Sequence, residues 1–168
     1  MTGTLDFLSP DLATPDVAAT QAAWRSPLAR ALSHAPADVT DVSLTGKLEV
    51  RGRIDDLEPK GFEVISVTPN RALVLCDFTR TAKVREQLSA DFFVTDMSAV
   101  FAGLQVRGET LLRRLTDLDL DELPAVGAVA HVQAYVVRDE GETFRLFFPQ
   151  EYGDYIVEVV IDTAEGLR

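Results

Sequence analysis

One phrase occurs twice in this chain, and it sets what the chain can fold into. Thr40-Asp41-Val42-Ser43 leads to Leu48-Glu49-Val50-Arg51-Gly52, and Thr95-Asp96-Met97-Ser98 leads to Leu104-Gln105-Val106-Arg107-Gly108. A tetrapeptide and a pentapeptide recurring in the same order, with one extra residue between them in the second copy, read as a duplicated unit. Each copy opens on a polar turn, alternates Leu-x-Val and stops at Arg-Gly, the pattern of a half-buried strand with a sharp exit. The second copy is longer. It inserts Glu109 to Leu120 before Leu123-Pro124-Ala125-Val126-Gly127, whereas the first passes almost at once from Gly52 to Leu57-Glu58-Pro59-Lys60-Gly61. Two related halves follow, the first lacking most of a helix that the second has.

With 168 residues, 46% of them hydrophobic, the chain suffices for one compact domain or two tightly packed subdomains. The division expected is a flexible arm over residues 1–25 and a single domain over 26–168, with halves at 38–91 and 92–168. The arm is polar and Pro-punctuated, which favours disorder in isolation. Its Leu5, Phe7 and Leu8, with Trp24 near its end, form an alternative docking surface for a partner. Ser26 or Pro27 opens a short helix through Leu32.

Within the first half, strands are expected from Val42 to Gly52, Phe62 to Val67 and Ala72 to Phe78. Thr68-Pro69-Asn70-Arg71 makes an antiparallel hairpin of the last two. Asp77 or Thr79 caps a helix to Leu88, with Val84 and Leu88 on its apolar face. Strands Phe92 to Val94 and Val100 to Val106 repeat the plan, and a helix carries Leu111, Leu112, Leu115 and Leu118. Val129 to Val137 and Phe144 to Phe148 form a hairpin around Asp139-Glu140-Gly141-Glu142. Tyr152, Tyr155, Ile156 and Val159 fit one helical face, although the β-branched run Val157 to Ile161 also suits a strand. Helix is favoured because it mirrors the end of the first half. The fold class expected is α+β: two ferredoxin-like halves, with mainly antiparallel sheets and helices packed on one side.

The net charge of −11 argues against nucleic acid, whose phosphates call for clustered Lys and Arg. The lone cysteine, Cys76, sits in an apolar run and reads as a buried structural thiol. No long apolar stretch and no signal-peptide pattern are present, so a cytoplasmic protein without membrane attachment is expected. Of the two histidines, His34 lies outside the expected core and His131 alternates within a strand, so neither suits a catalytic triad or a metal site. The carboxylate pairs fall in turns or on polar faces, and the single glycines of Arg51-Gly52 and Arg107-Gly108 make no phosphate cradle. Arg51 and Arg107 hold equivalent positions. Either each binds a carboxylate bidentately, with Asp41 or Asp96 the expected partner, and fixes its half, or each recognises a ligand or partner chain.

Asp96-Met97-Ser98, Gly103-Leu104-Gln105-Val106-Arg107-Gly108, the Leu-rich helix, Leu118-Asp119-Leu120 and a hairpin closing on Phe147-Phe148-Pro149 together resemble the aminomethyltransferase (glycine-cleavage T-protein) folate-binding superfamily. Ser26-Pro27-Leu28-Ala29, Gly46-Lys47-Leu48-Glu49-Val50-Arg51-Gly52, the terminal helix and the small size look like the gamma subunit of heterotetrameric sarcosine oxidase. That resemblance implies a T-protein-like fold and a scaffold subunit with no cofactor of its own. The larger partner subunits would hold FAD, FMN, NAD and tetrahydrofolate, oxidise N-methyl amino acids and pass the one-carbon unit to folate. A homodimer of the isolated chain is compatible with this. The family's folate-side acid follows a Gly-Gly turn, whereas Arg138-Asp139-Glu140-Gly141-Glu142 has one glycine after its acids, so no catalytic residue is carried over. Two other readings stand beside it: a stand-alone folate-binding or one-carbon transfer protein, and an adaptor domain that kept the fold.

Overall fold

The computed structural model describes residues 25–36 and 38–167, so Leu5, Phe7, Leu8 and Trp24 lie outside the described residues. Among the described residues, nine strands and three α-helices form in the order β1 (Val39–Asp41), β2 (Thr45–Arg51), β3 (Glu63–Thr68), β4 (Arg71–Asp77), α1 (Thr81–Leu88), β5 (Phe93–Asp96), β6 (Phe101–Arg107), α2 (Glu109–Leu115), β7 (Ala125–Val129), β8 (Val132–Arg138), β9 (Thr143–Pro149) and α3 (Gly153–Glu165). They build two antiparallel sheets, ordered β3-β4-β2-β5 and β1-β6-β9-β8-β7. In the first, β2 and β4 are central and β5 returns to the edge beside β2, the ferredoxin-like arrangement with a 3-10 turn at Ile54–Asp56 where the first helix would stand. The second repeats it with α2 restored and β7 added at the far edge.

The sheets do not follow a cut after residue 91. β5, from the second half, pairs with β2 of the first, and β1, the opening strand of the first half, pairs with β6 of the second. Each copy of the repeated phrase is therefore the crossing between sheets. Thr40–Ser43 leaves the second sheet for the first, and Thr95–Ser98 does the reverse.

Period-two alternation decides the layers. Leu48, Val50, Ala72, Val74 and Cys76 point outward from the first sheet against Val84 and Leu88 of α1. Leu104, Val106, Val136, Leu146 and Phe148 point outward from the second, where α2 presents Leu111, Leu112 and Leu115 and α3 presents Ile156, Val157 and Val160. Burial of each Leu, Val, Ile and Phe among them contributes about 1.5–3 kcal/mol. The inward faces meet through Ile65, Leu73 and Leu75 on one side and Tyr135, Val137 and Phe147 on the other. The result is helix, sheet, sheet, helix.

Two local expectations are corrected. The run from Val129 to Val137 is not one strand: it breaks at Ala130 and His131, both at positive φ (46° and 67°), so β7 and β8 form a two-residue hairpin and His131 sits in its turn. Tyr152 falls in the 3-10 turn before α3 and is exposed, as is Tyr155 on α3, and the buried stripe of the helix is Ile156, Val157 and Val160. The Thr68–Arg71 hairpin forms as expected. Asp77 accepts the Thr79 N–H at 2.8 Å and so opens the 3-10 turn before α1.

Candidate functional site

The two crossings use one chemistry twice. Asp41 Oδ1 accepts the N–H of Ser43 at 2.8 Å, and Asp96 Oδ1 accepts that of Ser98 at 2.9 Å, each carboxylate folding an Asx turn that redirects the chain. The residue between them reaches the opposite strand: Val42 N–H donates to Gly103 O (2.9 Å) and Met97 N–H to Lys47 O (2.8 Å). The serines complete the contact. Ser43 Oγ accepts Gly103 N–H at 2.9 Å and donates to Gly103 O at 3.3 Å, while Ser98 Oγ accepts Lys47 N–H at 3.0 Å. Lys47 and Gly103 are thus equivalent positions, each clasped by the other crossing.

The copies differ in what they place there. Gly103 leaves no room: a Cβ would lie 2.7 Å from Val42 O and 3.0 Å from the Phe147 ring. Lys47 carries a long side chain into the space between the sheets, where it is 0% exposed. Its Nζ donates to Ser43 O at 2.7 Å and Thr45 O at 2.8 Å and lies 5.9 Å from the Phe147 centroid. Removal from water lowers its pKa from 10.5 to about 8, partly opposed by the charges of Asp96 and Asp41.

The rest of the inter-sheet layer is charged at its margins. Glu49, on the same face of β2 as Lys47, accepts Arg51 at 2.8 Å and Arg71 at 2.6 Å. Burial opposes the ionised carboxylate, but those two guanidinium bonds outweigh it and hold its pKa below the ordinary value. Arg145 on β9 holds Asp139 at 2.7 Å and, across to the other sheet, Glu63 at 2.8 Å. Beside it lies an open groove of about 480 Å³ bounded by Thr45, Phe62, Leu75, Cys76, Asp77 and Arg145. Its cation is neutralised by two carboxylates, and burial raises the pKa of the Cys76 thiol, so its walls offer contact area rather than an acid–base pair or a thiolate nucleophile.

Of the four structural candidates, Asp41 and Asp96 serve as the turn formers just described. Arg51 does bind a carboxylate, but the partner is Glu49, two residues back on the same strand face, and not Asp41, which belongs to the other sheet. Arg107 makes no ion pair among the described residues, and its backbone N–H bonds Asp38 O. The glycine after each does turn at positive φ, 152° at Gly52 and 116° at Gly108. Sequence reasoning missed Lys47, Glu49, Ser43 and Ser98. The alternation Lys47-x-Glu49-x-Arg51 was a visible signal, since it marks one face of a strand whose other face is apolar.

No family model matches the chain, and no curated protein matches it. Among solved structures, one chain of the heterotetrameric sarcosine oxidase from Corynebacterium sp. U-96 superposes with a TM-score of 0.72 at 16% identity, over 85% of this chain and 95% of that one. The glycine cleavage system aminomethyltransferase T from Bartonella henselae superposes with a TM-score of 0.56 at 14% identity, over 80% of this chain and 48% of that one. This chain therefore spans about half of the transferase but nearly the whole of the matched oxidase chain. What is shared with both, at these identities, is the T-protein-like α+β fold.

Proposed function

We propose that the chain is a small, non-catalytic subunit of a sarcosine oxidase-like flavoenzyme complex that oxidises N-methyl amino acids and delivers the one-carbon unit to tetrahydrofolate. The observation that carries this reading is the end-to-end superposition on one chain of a heterotetrameric oxidase, a match to a whole subunit rather than to a piece of a larger enzyme. The charge arrangement supports it. The inter-sheet layer spends Arg51, Arg71 and Arg145 on Glu49, Glu63 and Asp139, so those charged residues are used in joining strands and halves. In this reading FAD, FMN, NAD and tetrahydrofolate reside in larger partner subunits, and this chain holds none of them.

The test is a tagged pull-down from the native host, followed by native mass spectrometry and an absorbance spectrum of the eluate. Larger chains co-eluting with a yellow flavin spectrum, and oxidising an N-methyl amino acid, are the expected result. A colourless single species would overturn it, and direct titration with tetrahydrofolate would then distinguish a stand-alone folate binder from an adaptor.

A further inference from the structure

A second groove, of about 320 Å³, lies away from the inter-sheet layer, where the end of α2, the β7–β8 turn and α3 meet. That volume is within the range of small-molecule sites, about 300–1,000 Å³. Leu115, Ala130 and Val159 contribute apolar walls. Three polar side chains stand at it uncommitted among the described residues: the Arg114 guanidinium, the His131 imidazole and the Tyr155 hydroxyl, all exposed. Arg113, next to Arg114, is held instead by Glu109 at 2.7 Å. Asp117 is the one carboxylate lining the groove, against the two arginines and the histidine.

The backbone gives a reason to take this cluster seriously. A two-residue hairpin turn with both central residues at positive φ is ordinarily written Asn-Gly, because L side chains resist that conformation. Here it is Ala130-His131, at 46° and 67°, so the imidazole stands where a glycine would suit the chain better. The turn is fastened to the helix end: Ala130 N–H donates to Leu115 O at 2.7 Å, Thr116 pairs with Val129, and Thr116 Oγ1 donates to Ala128 O at 2.6 Å. Those bonds fix His131 relative to Arg114, and one of them satisfies the Leu115 carbonyl at the α2 terminus, which would otherwise repel an anion. They also consume the Ala130 N–H. Phosphate sites draw on several free backbone N–H groups. A guanidinium, an imidazole and a phenol above an apolar floor suit a single planar carboxylate better.

We infer that this groove binds a small organic acid, its carboxylate held by Arg114, His131 and Tyr155 and its apolar body lying on Leu115 and Val159. The site stands independently of the subunit reading. Its test is a titration of the full-length, 15N-labelled chain with benzoate, and with uncharged benzamide as the isosteric control, followed by NMR. Benzoate shifts the Thr116, Ala130, His131 and Thr163 amides saturably, and benzamide does not. Arg114→Gln weakens binding about tenfold, the loss of one charge-assisted hydrogen bond. His131→Gly also weakens it while keeping or raising the thermal midpoint, because glycine relieves the turn. A merely structural His131 would lower that midpoint and leave binding alone. Equal shifts with benzamide, shifts that do not saturate, or unchanged benzoate affinity in Arg114→Gln would overturn the proposal.

Discussion

Replacing Lys47 by methionine keeps the length of the side chain and removes its charge from the layer between the sheets. Lys47 is lowered from 10.5 to about 8 in the folded chain, and each pKa unit corresponds to about 1.4 kcal/mol, so keeping it protonated costs the fold about 3 kcal/mol near neutral pH. Methionine removes that cost but leaves Ser43 O and Thr45 O without their donor, a loss of about 1–3 kcal/mol for each acceptor left unsatisfied. The two oppose each other and are of similar order at neutral pH, so the decisive quantity is the pH dependence. Because the folded pKa lies below the unfolded one, the unfolded chain binds more protons between about pH 8 and pH 10.5, and stability rises with pH across that window. Between about pH 7 and pH 9.5 the wild-type chain gains about 2 kcal/mol relative to Lys47→Met. Cys76 and Tyr135, both raised chiefly by burial, act in the opposite direction as pH climbs through their unfolded values, and they are common to both proteins. The assay is urea unfolding followed by far-UV circular dichroism at several pH values. Parallel stability profiles for the two proteins would refute the buried-ammonium account.

Ser43→Ala and Ser98→Ala each remove the hydroxyl that clasps the opposite strand, and each lowers unfolding free energy by about 1–3 kcal/mol; Ser43→Ala is the larger, since Ser43 is the more buried and donates to Gly103 O at 3.3 Å, where Ser98 donates to Lys47 O at 3.5 Å. Gly103→Ala forces a methyl against Val42 O and costs about 1–3 kcal/mol, with amide exchange accelerating first at β1. Arg51→Lys loses the guanidinium grip on Glu49. Because Glu49 is held below its ordinary pKa of 4.5, its contribution is present above that value and fades as pH falls through the folded value, so the variant's deficit seen at neutral pH shrinks in acid unfolding curves.

The strands and their alternation were legible in the residues, because Leu48-x-Val50 and Leu104-x-Val106 carry their own period. The pairing was less so. β1 is three residues long, and its partner lies more than sixty residues further on, so nothing local tells Thr40-Asp41 which sheet receives it. For the same reason Asp41 was matched to Arg51, although the crossing sends them to different sheets. Lys47, Glu49 and Arg51 spell an ordinary solvent face, and only the second sheet laid over them turns that face inward. The β7–β8 turn was missed because Ala130-His131 lacks the glycine or asparagine that announces such a turn. The symmetry of the halves points to the final helix, but its local periodicity favours the tyrosines for the inner face, because the neighbours that define the buried stripe, α2 and the 3-10 turn at Ala31–His34, are distant in sequence.

The exchange of edge strands also imposes a schedule on synthesis. As the chain emerges from its N-terminal end, the first sheet can close once β5 has appeared, since all four of its strands are then present. β1 cannot. It waits with an open edge until β6 has been made, and until then the Asx turn at Asp41 has no Gly103 to meet. A chain ended between Asp96 and Phe101 and released would therefore hold every strand of the first sheet and one orphaned strand of the second. Supplying residues 97–168 as a separate polypeptide would give that strand its place.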